Sequence, residues 1–333
     1  MNAGETQQQG IESIAEAVAR LGERKYTWPV LCERAAVEHE IADQLWRALG
    51  FPDVPPDEPA YTDEDVKALR FAAEGLSEVS GAEREQALEV VVREARTVSG
   101  HLARIAEQQV DALAEFQALG LRRSSVTKTL EDGIERSPLG WLLLYALRRR
   151  LDEAIRRRGT TEAGAEPRLV VGFIDLVNFT RASTGLDAAT FGRVLGRFEA
   201  LVWDEITEAG GRLVKLVGDE AMFVSSPAEA TAEALAAILG KCGRDDLPDA
   251  RAGVAAGPVL MRGGDYFGPV VNLASRLTDV APPGAIAMDD AFRGVLSGQG
   301  RELVIEQAAP QELKGIGATN VWLLNPQRAR TAT

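Results

Sequence analysis

Apolar residues change their period once along this chain, and that change limits what it can fold into. In the first half they recur in steps of three and four; beyond a small, polar stretch at 159–167 they come as short continuous runs. Steps of three and four place side chains on one face of a helix, whereas a short apolar run between turns reads as a buried strand. Helices followed by mixed strands and helices read as two domains, and 333 residues exceed one ordinary core. The expected architecture is an all-α domain over 1–158, a linker over 159–167, an α+β domain over 168–326 and a frayed tail over 327–333.

In the first half, Ile11, Ile14, Ala15, Val18 and Leu21 share one helical face. A second helical region over 31–49 breaks near Glu38 and stops at Gly50, Phe51 and Pro52. Thr62, with Asp65 three residues on, is a cap ahead of Val66, Leu69 and Ala73. The longest stripe is Leu88, Val91, Ala95, Val98, Leu102, Ile105, Ala112 and Phe116, a pattern for a bundle or coiled coil that Gly120 ends. Pro138 opens a last helix whose apolar face is Trp141, Leu144, Leu147, Leu151 and Ile155. Arg156, Arg157 and Arg158 close it with cations at the negative end of the helix dipole.

A net charge of −13 argues against broad nucleic-acid binding, which needs a surplus of Lys and Arg. Cys32 and Cys242 stand far apart in no metal-type spacing, as in a reducing cytoplasm. The first ten residues are polar, and the longest apolar run, 141–147, is far short of the ~20 residues that span a bilayer. A cytoplasmic protein with no membrane span is expected.

The chemistry-bearing residues lie in the second half. Asp175 ends the apolar run 169–174 just before a helix start, where a carboxylate holds Mg²⁺ or Mn²⁺ while free helix N–H groups face phosphates. Taken alone, it reads more readily as a strand-ending cap of the next helix. Asp219 stands at a Gly-Asp turn between two apolar strands, placed to share that metal or simply to make the turn. Lys215 interrupts Leu213, Val214, Leu216 and Val217, and a lysine on a polar strand face is the plain reading. Asn272 and Arg276 are four apart and share a face if helical; Arg offers a fork of donors to phosphate oxygens.

Together these residues resemble the catalytic domain of class III adenylate cyclases over about 169–324. The family motif Phe-x-Asp-x-x-x-Phe-Thr falls on Phe173, Asp175, Phe179 and Thr180. The resemblance implies a ferredoxin-like catalytic domain and two Mg²⁺ or Mn²⁺ ions per site on Asp175 and Asp219. It implies adenine selection by Lys215 and Asp265, and transition-state roles for Asn272 and Arg276. Phosphate contacts fall on Arg251, Phe179 and Thr180. It also implies ATP as substrate, cyclic AMP as product, and a head-to-tail homodimer. In that dimer Asp175, Asp219 and Arg251 of one copy would face Lys215, Asp265, Asn272 and Arg276 of the other. Asn178 stands where the family usually has Gly, a position asking for left-handed backbone that Asn tolerates. Lys314 is the one candidate for the family's C-terminal phosphate lysine.

The helical half resembles the regulatory domain of soluble pH-responsive mycobacterial adenylate cyclases, through 46–52 and the stretch to Arg70. The implied signals are protonation, with His39 and His101 as titrating groups, or an apolar ligand. Competing readings are a catalytically degenerate relative, a diguanylate cyclase suggested by Gly263, Gly264 and Asp265, and a DNA-binding regulator using a helix-turn-helix-like region over 31–65. The missing Glu after Asp265 weighs against the second, and Glu33, Glu38, Glu40 and Asp43 weigh against the third.

Overall fold

The structure is a computed structural model. It describes residues 23–51, 54–118, 138–159, 167–179, 185, 187–226, 228–244, 247–296 and 304–325. The helix expected at 11–21, the interior of the linker, the stop at Gly120 and the tail lie outside these. The chain divides into two compact units, Met1–Gly159 and Thr160–Thr333.

The first unit is helical: α1 (Trp28–Ala35), α2 (His39–Ala48), α3 (Asp63–Ala73), a single 3-10 turn (Glu74–Leu76), α4 (Ala82–Ala118) and α5 (Pro138–Gly159). The break expected near Glu38 is made by Ala36, whose φ of 57° is left-handed, with Glu38 extended as the N-cap of α2. Thr62 and Asp65 form a reciprocal capping box on α3. The Asp65 N–H donates to Thr62 Oγ1 at 3.3 Å, and the Thr62 N–H donates to Asp65 Oδ2 at 2.7 Å. Leu31, Leu45, Trp46, Leu69 and Leu76 fill the core, with Leu88, Val91 and Ala95 of α4 against them. Farther along the same stripe, Val98 and Leu102 are exposed. So is the whole apolar face of α5, from Trp141 at 65% to Ile155 at 68%. His39 and His101 are exposed as well, and His101 Nδ1 lies 3.0 Å from an Arg104 Nη atom. Charging them removes no buried group from water.

The second unit runs β1 (Arg168–Leu176), α6 (Ala188–Glu208), β2 (Arg212–Val217), β3 (Glu220–Ser225), α7 (Ala228–Lys241) and β4 (Ala250–Pro258). The hairpin β5 (Leu260–Arg262) and β6 (Asp265–Phe267), α8 (Pro269–Val280), β7 (Ile286–Met288) and α9 (Asp290–Leu296) follow. Last come β8 (Ile305–Gln307), β9 (Gln311–Leu313), β10 (Gly317–Thr319) and β11 (Trp322–Leu324). Seven strands form one sheet in the order β2-β3-β1-β4-β7-β11-β8. Its first four strands pair antiparallel in βαββαβ order, the ferredoxin-like arrangement that the resemblance implies.

Both faces of the sheet are covered. On β1, Val170 and Ile174 pack with Phe198, Leu235 and Phe292 from α6, α7 and α9. The alternate residues Val171 and Phe173 pack with Val270, Ala274 and Leu277 of α8. Gly253 on β4 is what lets α8 lie so close. A Cβ there would stand 2.1 Å from Thr278 N and 2.4 Å from the Ala274 carbonyl oxygen.

Candidate active site

Asp175 is the penultimate residue of β1, where it pairs across the sheet with Glu220 of β3 and Arg251 of β4. This interior strand thus ends at a carboxylate flanked by an acidic and a basic side chain. Arg251 Nε and an Nη atom donate to Asp175 Oδ2 at 2.9 and 2.8 Å, and the other Nη donates to the Asp279 carbonyl at 2.9 Å. The β2–β3 turn, Gly218-Asp219, folds against the same strand end, and the Leu176 N–H donates to the Asp219 carbonyl at 3.2 Å. Burial pushes the Asp175 carboxyl above the ordinary carboxylate range. Arg251 opposes that shift, while the charges of Asp219 and Asp279 add to it. Glu220 is raised for the same reasons, burial first and then the charges of Asp175, Asp279 and Asp219.

This is a group of mutually repelling carboxylates relieved by one guanidinium. Among the described residues no group of three or more His, Cys, Asp or Glu gathers around a point. Two carboxylates are nonetheless a fitting protein share for Mg²⁺ or Mn²⁺. Such ions take hard oxygen ligands and commonly complete their shell with water and substrate phosphates.

Asn178 has φ 59°, the left-handed backbone that its place in the family's glycine position requires. The ring of Phe179 is buried at 3% and stacks on Phe191 with centroids 5.3 Å apart. Any phosphate contact from Phe179 therefore falls to its backbone N–H, the side chain being core. Thr180 lies outside the described residues. Lys314 is exposed in the turn between β9 and β10.

The other residues lie along β2, the β5–β6 hairpin and α8. Lys215 is not a free surface lysine. Its Nζ donates to Asp265 Oδ2 at 2.5 Å, joining positions 50 apart in sequence. The Tyr266 N–H donates to Asp265 Oδ1 at 2.8 Å. Partial burial works to raise the Asp265 carboxyl. The Lys215 and Tyr266 hydrogen bonds and the charges of Lys215 and Arg212 outweigh burial and hold it below its usual value. Gly263 and Gly264, with φ of 58° and 81°, make the tight turn between β5 and β6, so these glycines serve a hairpin. Asn272 and Arg276 both lie on α8, Asn272 exposed and Arg276 partly buried. Arg276 donates from an Nη to Asp279 Oδ2 at 2.9 Å.

The structure thus joins Asp175 with Arg251, and Lys215 with Asp265. It also adds groups that motif reading passes over: Glu220, Asp279, Arg212 and Tyr266. Nothing in their local sequence singles them out, since each gains its place through a strand partner or a helix end.

No family model matches the chain. Among curated proteins, it is 37% identical over 278 residues to an adenylate cyclase of Streptomyces coelicolor, covering 81% of this chain and 71% of that protein. It is 32% identical over 331 residues to an adenylate cyclase of Glutamicibacter nicotianae, covering 89% and 79%. A pH-sensitive adenylate cyclase of Mycobacterium tuberculosis is 31% identical over 279 residues, covering 81% and 65%. Among solved structures, the catalytic core of a rhodopsin-guanylyl cyclase with converted specificity, in complex with ATPalphaS, aligns with TM-score 0.45 and 22% identity, over 48% of this chain and 96% of that one. The chain belongs to the class III adenylate cyclases. Among the described residues no helix is long and apolar enough to cross a membrane.

Proposed function

We propose that this chain converts ATP to 3′,5′-cyclic AMP and pyrophosphate at sites shared by two copies arranged head to tail, with its helical domain regulating them. The observation that carries the reading is the contact between Lys215 and Asp265. Adenine presents an N6 amine donor beside an N1 acceptor. Asp265 accepts from N6 and Lys215 donates to N1. Guanine reverses both groups and leaves the pair mismatched in a partly buried site.

The remaining roles follow from chemistry. Asp175 and Asp219 would hold two divalent cations, Mg²⁺ or Mn²⁺. When bound, these lower the pKa of the ribose 3′-hydroxyl and neutralise the β- and γ-phosphates. Arg251 turns its guanidinium from Asp175 to a phosphate once that carboxylate is otherwise engaged. Arg276 of the other copy stabilises charge on the α-phosphate as the 3′-oxygen attacks and pyrophosphate leaves. Asn272 orients the ribose. The backbone N–H of Phe179 contacts the phosphates, and Thr180 shares that phosphate-binding role.

Support for a shared site comes from Val217, Leu260 and Phe267, large apolar side chains left 63, 53 and 47% exposed beside the residues in question. Regulation by domain 1–158 through linker 159–167, in the cytoplasm, completes the reading. A ligand of that domain would sit in a cleft of about 240 Å³ lined by Trp28, Trp46, Val54 and Tyr61 together with the charged Asp43 and Arg47.

The test mixes two inactive chains, Asp175→Ala and Asn272→Ala. A mixed dimer contains one site with all native groups and one doubly damaged site, so cyclic AMP formation from ATP should return. No recovery after confirmed subunit exchange overturns the shared site.

A further inference from the structure

The base-selecting pair is held by a second pair that has no place in the roles above. An Nη atom of Arg212 on β2 donates to the Tyr266 hydroxyl, and the guanidinium lies over the Tyr266 ring with its carbon 5.0 Å from the centroid. Tyr266 is 3% exposed and packs in the cluster of Val171, Phe173 and Met222. It directly follows Asp265 and gives that residue its backbone N–H. One strand therefore grips one short hairpin twice, at Lys215 to Asp265 and at Arg212 to Tyr266.

An irregularity in β2 makes this double grip possible. Arg212 and Lys215 are three residues apart, and on a regular strand an odd separation sends side chains to opposite faces. The β2–β3 register shifts between Leu213 and Lys215, so Arg212 stands opposite Val224 while Lys215 stands opposite Met222. Val224 and Met222 belong to one face of the sheet, and both packing partners lie in the same core cluster. The bulge thus carries Arg212 and Lys215 to the face where β6 lies.

The need for such a grip is physical. The β5–β6 hairpin pairs only three residues per strand, and an isolated two-stranded hairpin is marginal. Adenine N1 and N6 are adjacent atoms, so the groups that read them must stay side by side. A loose hairpin would let Asp265 drift and accept guanine's reversed pattern.

We infer that Arg212 and Tyr266 are positioning residues for purine selection, clamping the β5–β6 hairpin to bulged β2 so that Asp265 is presented to the base beside Lys215. This rests on the reading of Lys215 and Asp265 as the base-selecting pair.

The experiment measures kcat and KM for ATP and for GTP with the full-length chain, in Tyr266→Phe, Arg212→Met, their double variant, Arg212→Lys and the control Lys215→Ala. Tyr266→Phe deletes one oxygen and keeps the ring in the core. Each single variant should narrow the ATP-over-GTP ratio of kcat/KM by about fivefold to tenfold, the worth of one hydrogen bond, chiefly through KM for ATP. The double variant should be no worse than either single one, since both break one link. Arg212→Lys, which can still donate to the hydroxyl, should recover part of the ratio. A merely structural role would lower activity on both nucleotides alike and leave the ratio in place. If Lys215→Ala collapses the ratio while Tyr266→Phe and Arg212→Met leave it within about twofold, below even a weak hydrogen bond, the inference falls and the base-selecting reading survives. If Lys215→Ala also leaves the ratio unchanged, the base-selecting reading fails and the inference falls with it.

Discussion

Both units leave some apolar side chains exposed, Val217, Leu260 and Phe267 in the second among them, but only the first leaves whole helical stripes uncovered. In the second, a sheet is covered on both faces, and Phe198, Phe223 and Phe292 are fully buried. In the first, a compact core forms around Leu31, Leu45 and Leu69, yet the α5 stripe and the outer part of the α4 stripe stay exposed. Both stripes are as regular as any in the chain. A sheet-based core closes on its own elements, whereas a long amphipathic helix presents a face whose cover must come from elsewhere. The residues proposed for catalysis sit on the sheet scaffold, and the uncovered stripes sit in the unit proposed to regulate them.

That contrast can be broken most severely in the buried sheet. Phe223→Ala should cost about 3–5 kcal/mol in urea unfolding, because it opens a cavity beneath β3. Leu151→Ala on α5 should change the stability of the isolated monomer by less than about 0.5 kcal/mol, as expected of an exposed site. Equal losses from the two would remove the distinction between a closed core and an uncovered face.

A comparable effect on chemistry, with little on folding, is expected from Arg276→Ala. Its kcat should drop about 10²- to 10³-fold, the range for removing one donor to transition-state charge, while the melting temperature stays near that of the parent. Asp175→Ala should lose metal-dependent turnover outright, and robust activity with Mn²⁺ would remove that residue from the metal site.

Thr62→Ala probes the closed part of the helical unit. It breaks the capping box on α3 and should cost about 1 kcal/mol. Hydrogen exchange should quicken in α3 and remain unchanged in β1.

The smallest effect concerns Asp265, whose carboxyl is held below its ordinary value near 3.8. A lowered folded value means that the charged form is the stabilised one. The contribution is present above that ordinary value and is lost as pH falls below it, through the folded value. Asp265→Asn should therefore destabilise by about 1 kcal/mol or less at pH 7, the ceiling for a pair this exposed. The difference should vanish in strongly acid solution. An undiminished difference there would show that the loss is one of packing and not of charge.

Local chemistry made much of this legible from residues alone. The capping box at Thr62 and Asp65, the break before Glu38, the buried strand ahead of Asp175 and the hairpin at Gly218 and Asp219 are each decided within a few residues. The left-handed backbone at Asn178 is expected only from the resemblance, which puts Asn at the family's glycine position, and the structure has it. The order of motif residues carried the family. Strand pattern alone reads Lys215 as a plain surface lysine, and only the resemblance pairs it with Asp265; the resemblance also gives Phe179 a phosphate-facing role, and His101 is read as a titrating group. The structure gives Lys215 an aspartate partner, leaves Phe179 its backbone N–H and exposes His101.

Those differences share one cause. Periodicity tells which residues lie on the same face of an element, and capping chemistry tells where an element starts and stops. Neither tells which strand will lie beside which, or where a ladder slips by one residue. The sequence by itself determined the helical and mixed halves and the residue types of the site. Only the tertiary structure decided that Arg251 meets Asp175 across β1 and β4, and that a bulge at Val214 turns Arg212 and Lys215 to one face. Those contacts join residues 50 to 76 positions apart. They exist because sheet order and register, both set by how the whole core packs, bring them within hydrogen-bonding reach.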